Sequence, residues 1–299
     1  ILSGEILEKE LRNNPWVDVP CHIDVWHLLK EQRISDTYYR RGDGQATQDL
    51  DWVEALHRSW VHEITDLSEF QHCYFVNGTT DAIHHWKLTD KRPWQKLCYG
   101  EYEYPDMIGD WGDVTCDVPG QYMDEETHRA AKPGVIDPNK VLYMSIPSAA
   151  DGNFFDLPDT QAPVILDCTY VSSTNIHKIN IPPNTEQIFF SFSKGFGLVG
   201  QRLGLVYTKE PHKSLHTLKG FENWNYTGPK VIDYMMSNFK VDTMWKTHRP
   251  WQLEMCREYS LIPSDCFFLA TTGDPYYKRR RRMKYNPAAR LCLTPLIEW

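Results

Sequence analysis

The chain has 299 residues, 41% of them hydrophobic, enough to bury a substantial core as one large domain or as a large and a small one. A formal net charge of −8 argues against general nucleic-acid binding, and no stretch is long and apolar enough to cross a bilayer as a helix. The eight cysteines are scattered without CxxC pairs, which reads as reduced thiols rather than a disulfide framework.

Residues 1–35 join a charged amphipathic opening to the aromatic, His-rich run NPWVDVPCHIDVWHLL, an arm expected to pack on another surface. The opening lacks a secretory apolar segment, so a cytoplasmic location is the expectation. Residues 49–64 place Trp52, Val53, Leu56, Trp60, Val61 and Ile64 at helical spacing, which predicts a core-facing helix. His57 and His62 lie on it, but their spacing is not HExxH and no third ligand accompanies them, so no metal site is expected.

Residues 73–76 (CYFV) read as a buried strand running into Asn77-Gly78-Thr79-Thr80 and then a helix over 81–88. Backbone N–H groups at a helix start, two hydroxyls and a glycine allowing close approach suit a phosphate dianion, although Thr and Asp are also ordinary helix caps. A strand over 96–99 leads to GEYEYPDMIGDWGD, where Trp111 reads as packing, and further strands are expected over 113–118 and 141–146. The strand over 162–166 (APVIL) closes with Asp167-Cys168-Thr169-Tyr170. A carboxylate at the carboxyl end of a buried parallel strand stands where open α/β sheets contact ligands.

Residues 191–204 (SFSKGFGLVGQRLG) form a turn between two buried strands, with Ile188, Phe189 and Phe190 leading in and Leu203, Leu205 and Val206 leading out. A lysine at the edge of a buried sheet loses hydration, which favours the neutral amine, and a neutral amine forms an imine with an aldehyde. Arg202, with serines and glycine-exposed N–H groups beside it, suits a phosphate. Beyond residue 210 the pattern is helical from 229 to 259 and reads as packing. The run KRRRR at 278–282 is a solvated charge cluster, whereas Arg290 begins an apolar strand.

Strands near residues 73, 96, 113, 141, 162, 187 and 203, with helices or loops between most of them, predict an α/β fold. Its large part is a three-layer α/β/α arrangement around a mainly parallel seven-stranded sheet, covered on both faces.

Taken in order over residues 38–294, these motifs resemble the aspartate-aminotransferase-like family, the fold-type-I enzymes that use pyridoxal phosphate (PLP). The resemblance implies a large PLP domain over 41–211, and a smaller α+β domain from the arm (1–40) and the C-terminal section (212–299). It makes Lys194 the imine-forming catalytic residue, with Ser191 and the phosphate-binding Arg202 at the family spacing, and gives Gly78, Thr79 and Thr80 to the same phosphate. Tyr104, or alternatively Tyr102, would stack on the pyridine ring; Asp167 would pair with its nitrogen and Tyr170 with its oxygen. Arg290 would bind the substrate α-carboxylate. Where the family carries an Asn-Pro pair this chain has Ile146-Pro147, so Ser145, Ser148 or Asn153 takes the place of that asparagine, or the contact is missing. Family members are homodimers in which a tyrosine reaches the neighbouring phosphate, a role for Tyr38 or Tyr39.

The implied reaction is transfer of an amino group from an L-amino acid to a 2-oxo acid; a lyase, decarboxylase or cyclase on the same cofactor is the alternative. A non-catalytic protein, either a PLP-sensing regulator or a nucleic-acid binder using 278–282, is the third reading.

Overall fold

A computed structural model describes residues 45–97, 101–102, 104–108, 116–117, 122–123, 130–132, 136–274 and 289–297. The arm with Tyr38 and Tyr39, Trp111 and the basic run 278–282 lie outside the described residues. The described residues begin with α1 (Gln45–Trp60) and then build one seven-stranded sheet from β1 (His72–Val76), β2 (Trp94–Lys96), β3 (Cys116–Asp117), β4 (Val141–Ser145), β5 (Val164–Asp167), β6 (Thr185–Ser191) and β7 (Gly204–Thr208). Their order across the sheet is β1-β7-β6-β5-β4-β2-β3, and β7 runs antiparallel to both its neighbours while the other pairs are parallel.

Alternation along the strands sorts side chains into two cores. Leu142, Met144, Ile188, Phe190 and Leu205 face one side, where α1 (Leu50, Val53) and α4 (Thr227–Asn238; Val231, Ile232) cover them. Tyr143, Ile165, Phe189 and Val206 face the other, under α2 (Thr79–Thr89; Ala82, Ile83, Trp86) and α3 (Lys213–Gly220; Leu215). This is the three-layer arrangement expected. Both α3 and α4 follow residue 211, so the cover of the large sheet reaches residue 238.

Past it, α5 (Thr243–Glu258) packs on a three-stranded antiparallel sheet of β8 (Ile262–Pro263), β9 (Leu269–Thr272) and β10 (Ala289–Cys292), with Cys256, Ala270 and Leu291 between them. No helix among the described residues is long and apolar enough to cross a membrane.

Some local expectations change. The helix expected over 49–64 stops at Trp60, leaving Val61 and Ile64 buried in the turns after it. Trp52 is not core-facing: it is 60% exposed, because it falls at the margin of the apolar stripe and its indole N–H finds Asp233 Oδ1 at 3.2 Å on the neighbouring helix. The helical stretch at 229–259 is two helices, broken where Phe239 turns to extended backbone. The strand expected over 96–99 begins earlier, at Trp94, and is described as Trp94–Lys96; of the one expected over 113–118 the described part is Cys116–Asp117.

Candidate active site

A cavity of about 140 Å³ opens at the carboxyl ends of the parallel strands, with Thr79, Thr80, Asp167, Tyr170, Ser191, Lys194, Arg202 and Arg290 in its lining. Three strand ends supply one side. After β1, Gly78 takes φ 79, a left-handed value that glycine adopts without a Cβ clash, and α2 starts at Thr79. A Cβ on Gly78 would stand 3.1 Å from Nη2 of Arg202, so the guanidinium lies directly against this turn. Gly204 brings it there: a Cβ at 204 would stand 2.8 Å from the Phe190 carbonyl oxygen and 3.0 Å from the Gly78 Cα. The result is a helix start, two threonine hydroxyls and a guanidinium around one space, a donor set suited to a dianion.

At the end of β5, Asp167 is buried and its carboxylate accepts from the Tyr143 hydroxyl at 2.7 Å, the Thr169 N–H at 2.9 Å and the Thr169 hydroxyl at 2.5 Å. Burial pushes its pKa up to about 6 from the ordinary 3.8, and the Thr169 and Tyr143 hydrogen bonds limit the rise. Thr169 ties this carboxylate to the phosphate-type turn, since its Oγ1 also lies 2.5 Å from Thr79 Oγ1.

Lys194 is half-buried on the turn after β6. Ser191 Oγ accepts the Ser193 N–H at 3.2 Å, shaping that turn. A Cβ on Gly195 would fall 2.6 Å from the Ser172 carbonyl oxygen, so only glycine lets the backbone beside the lysine pack onto the 3-10 turn Val171–Ser173, next to Tyr170.

The opposite side is assembled differently. Tyr102, not Tyr104, lines the cavity; Tyr104 stands outside it, its hydroxyl 2.7 Å from His84 Nε2. Of the three residues weighed as stand-ins for an asparagine, Ser145 lines the cavity, whereas Ser148 Oγ accepts the Ala150 N–H and Asn153 Oδ1 accepts the Asp265 N–H. Arg290 is buried on β10 and donates from Nη1 to the Ala149 carbonyl at 2.6 Å. Sequence reasoning missed Tyr143, Thr169, Ser193 and Glu101. Thr169 was within reach, lying between the two residues singled out in Asp167-Cys168-Thr169-Tyr170, but Glu101 gave no signal. His57 and His62 are structural: His57 is buried with Nδ1 3.0 Å from the Tyr207 hydroxyl, and His62 Nδ1 lies 2.6 Å from the Ser59 carbonyl oxygen. No cluster of metal-ligating side chains occurs among the described residues.

No protein-family model and no curated protein sequence matches the chain. Solved structures do match it. An aminotransferase from Staphylococcus aureus aligns over 95% of this chain and 88% of its own, with TM-score 0.65 and 11% identity. A PLP-bound C–S lyase from Staphylococcus hominis aligns over 95% and 87%, with TM-score 0.64 and 12% identity. An L-threonine-O-3-phosphate decarboxylase from Porphyromonas gingivalis aligns over 93% and 94%, with TM-score 0.61 and 14% identity. At such identities the likeness is one of fold.

Proposed function

We propose that this chain, which has the fold shared by those three enzymes, is a PLP-dependent enzyme of amino-acid metabolism, and that its reaction is amino-group transfer from an L-amino acid to a 2-oxo acid. The observation that carries the reading is the convergence of Lys194, Asp167 and the Gly78–Arg202 contact on one cavity. The residues fit the cofactor: the turn at Gly78, Thr79 and Thr80 with Ser191 and Arg202 for its phosphate, Asp167 for its ring nitrogen, Tyr170 for its ring oxygen, Tyr102 for its ring face and Lys194 for its aldehyde.

PLP, when bound, supplies an electron sink for the pair released as a bond at the substrate α-carbon breaks. The protein's part is to hold and move protons. Asp167, ionised beside a positive partner, keeps a proton on the ring nitrogen, and its burial makes that pairing strong. The Lys194 amine takes the α-proton and returns it as general base and then general acid. Arg290 orients the substrate by a carboxylate fork. The reading includes a homodimer in which Tyr38 or Tyr39 of a second copy reaches the phosphate site.

A lyase or decarboxylase is the second reading, favoured by Ile146 at the position where the resembled family has asparagine. The test is to add PLP to the purified protein, reduce with borohydride and locate the pyridoxyl group by mass spectrometry, then supply amino acids with and without a 2-oxo acid. Modification of Lys194, its loss in Lys194→Ala with activity down by roughly 10³-fold or more, and continued turnover only with the acceptor are the expected results. Repeated turnover without an acceptor, giving ammonia, carbon dioxide or more than one equivalent of oxo acid per site, replaces transfer by the second reading, and absence of any adduct removes both.

A further inference from the structure

Glu101 is completely buried. Its carboxylate accepts from the Tyr102 N–H at 2.9 Å, the Ser145 N–H at 3.0 Å and the Ser145 hydroxyl. The hydroxyl oxygen of Ser145 in turn accepts the Ala149 N–H at 2.7 Å, and the Ala149 carbonyl accepts from Arg290 Nη1 at 2.6 Å. Tyr102, Ser145, Ala149 and Arg290 all line the cavity that contains Lys194. One hydrogen-bonded line therefore runs from a dehydrated carboxylate, through the turn after β4, to a buried guanidinium carried by the small sheet.

A carboxylate is costly to bury, and an apolar residue would fill the same space without that cost. The charge does something an apolar residue would not. In a low-dielectric interior each hydrogen bond polarises the next. Negative charge on Glu101 draws the Ser145 proton, which makes the serine oxygen a better acceptor for the Ala149 N–H. The Ala149 N–H, held by that oxygen, pins the Ala149 backbone and so sets where its carbonyl meets Arg290 Nη1.

We infer that Glu101 is a positioning residue for substrate recognition: through Ser145 and the Ala149 peptide it fixes the direction of the Arg290 guanidinium, and with it the preference for a substrate bearing a carboxylate. The inference rests on the functional reading above, in which Arg290 meets the substrate carboxylate. It extends that reading to a residue outside the cofactor contacts, with a consequence for selectivity rather than for the chemical step.

The experiment compares wild-type holoenzyme with Glu101→Gln and Ser145→Ala. Glu101→Gln keeps the volume and one acceptor but removes the charge. Ser145→Ala cuts the line while leaving Glu101 its two backbone donors. For each, KM and kcat are measured with an amino-acid substrate, binding is measured for that amino acid and its carboxamide, and cofactor affinity is followed by visible absorption. The expected result is a KM about tenfold higher, the scale of one weakened charge-assisted hydrogen bond. The acid-to-amide preference falls by the same factor, while cofactor affinity in Glu101→Gln stays within about twofold. If wild type forms no adduct with PLP, the functional reading fails and the relay falls with it. If wild type is active but both variants keep its acid-to-amide ratio, the relay alone is overturned. Loss of cofactor or of the fold in both variants also overturns it, because Glu101 then supports the frame of the site rather than Arg290.

Discussion

One wall of the cavity is made from strand ends that neighbour one another in a single sheet; the other is made from segments that meet only in the folded chain. On the first wall, Val76 pairs with Gly204, Gly204 with Ser191, and Phe189 with Asp167, so the register of β1, β7, β6 and β5 carries the phosphate-type turn, lysine turn and carboxylate to one height. On the second, Tyr102 comes from an irregular segment, Ala149 from the turn after β4, and Arg290 from a separate sheet 141 residues away from the carbonyl it touches, while Ser145, the last residue of β4 and paired with Asp167, joins the two walls. The first wall is positioned by backbone pairing and the second by side-chain hydrogen bonds. Damage to the first wall should appear in the cofactor, and damage to the second, apart from the ring-facing Tyr102, in the substrate.

The largest expected break lies in the first wall. Asp167→Asn keeps the shape but removes the negative charge and exchanges one acceptor oxygen for an N–H donor, and we expect activity to fall by roughly 10²–10³-fold, the scale of a lost electrostatic group in a dry site. The same change should stabilise the cofactor-free protein. Burial raises the Asp167 pKa to about 6 from 3.8, so between those values the folded apoprotein holds a proton that the unfolded chain has released. Stability from this group is therefore present below about 4 and is lost as pH rises through 6, by up to about 3 kcal/mol. Thermal melts of the apoprotein across pH 4 to 7 should show that loss in wild type and a flatter profile in Asp167→Asn. Adding PLP should reverse the order of the two proteins at pH 7. A wild-type apoprotein as stable as Asp167→Asn at pH 7 would remove the claim that this carboxylate waits for a positive partner.

A smaller effect is expected where the two strand-end turns touch. In Gly78→Ala the new Cβ meets the Arg202 guanidinium at 3.1 Å, and φ 79 is strained for any L-residue. Titration of the apoprotein with PLP should give an affinity about tenfold weaker, the scale of one charged hydrogen bond set out of line. The KM for amino acid, once cofactor is saturating, should stay within about twofold. A rise in that KM at saturating cofactor would blur the division between the walls.

How much of this was legible in the sequence follows the same division. Gly78-Thr79-Thr80, Asp167 and the run from Ser191 to Arg202 each sit at the end of an apolar strand, and the covered parallel sheet brings such ends together, so local pattern was enough to find them. The seven strands could be counted for the same reason. Glu101 could not be found, because a glutamate among tyrosines reads as solvated until the two donors of Ser145, 44 residues on, are in place. Ser145, Ser148 and Asn153 could not be separated, since which hydroxyl or amide turns inward depends on turns that each of them also caps. Trp52 shows the limit of periodicity: spacing locates an apolar stripe, but the width of the covering layer decides whether its margin is buried.

The least certain point of the second wall for a sequence reader was the choice between two tyrosines, and it gives the smallest expected effect. Tyr102 and Tyr104 stack on each other with centroids 6.1 Å apart, so either is close to the site, but only Tyr102 reaches its lining. Tyr104 begins a single helical turn, which directs its hydroxyl to His84 on the outer side of α2. Tyr102→Leu should therefore weaken PLP binding by about two- to tenfold, the scale of one aromatic contact beyond its buried area. It should also shift the visible absorption of the bound cofactor, because the ring loses a polarisable face. Tyr104→Leu should leave both quantities close to wild type and cost only the bond to His84. If the two substitutions exchange these effects, the segment closes differently around bound cofactor, and the family-like Tyr104-Pro105 pattern was the better guide. Tyr102 would then join the second wall only while the site is empty, and that wall's dependence on folded contacts would extend to the ligand itself.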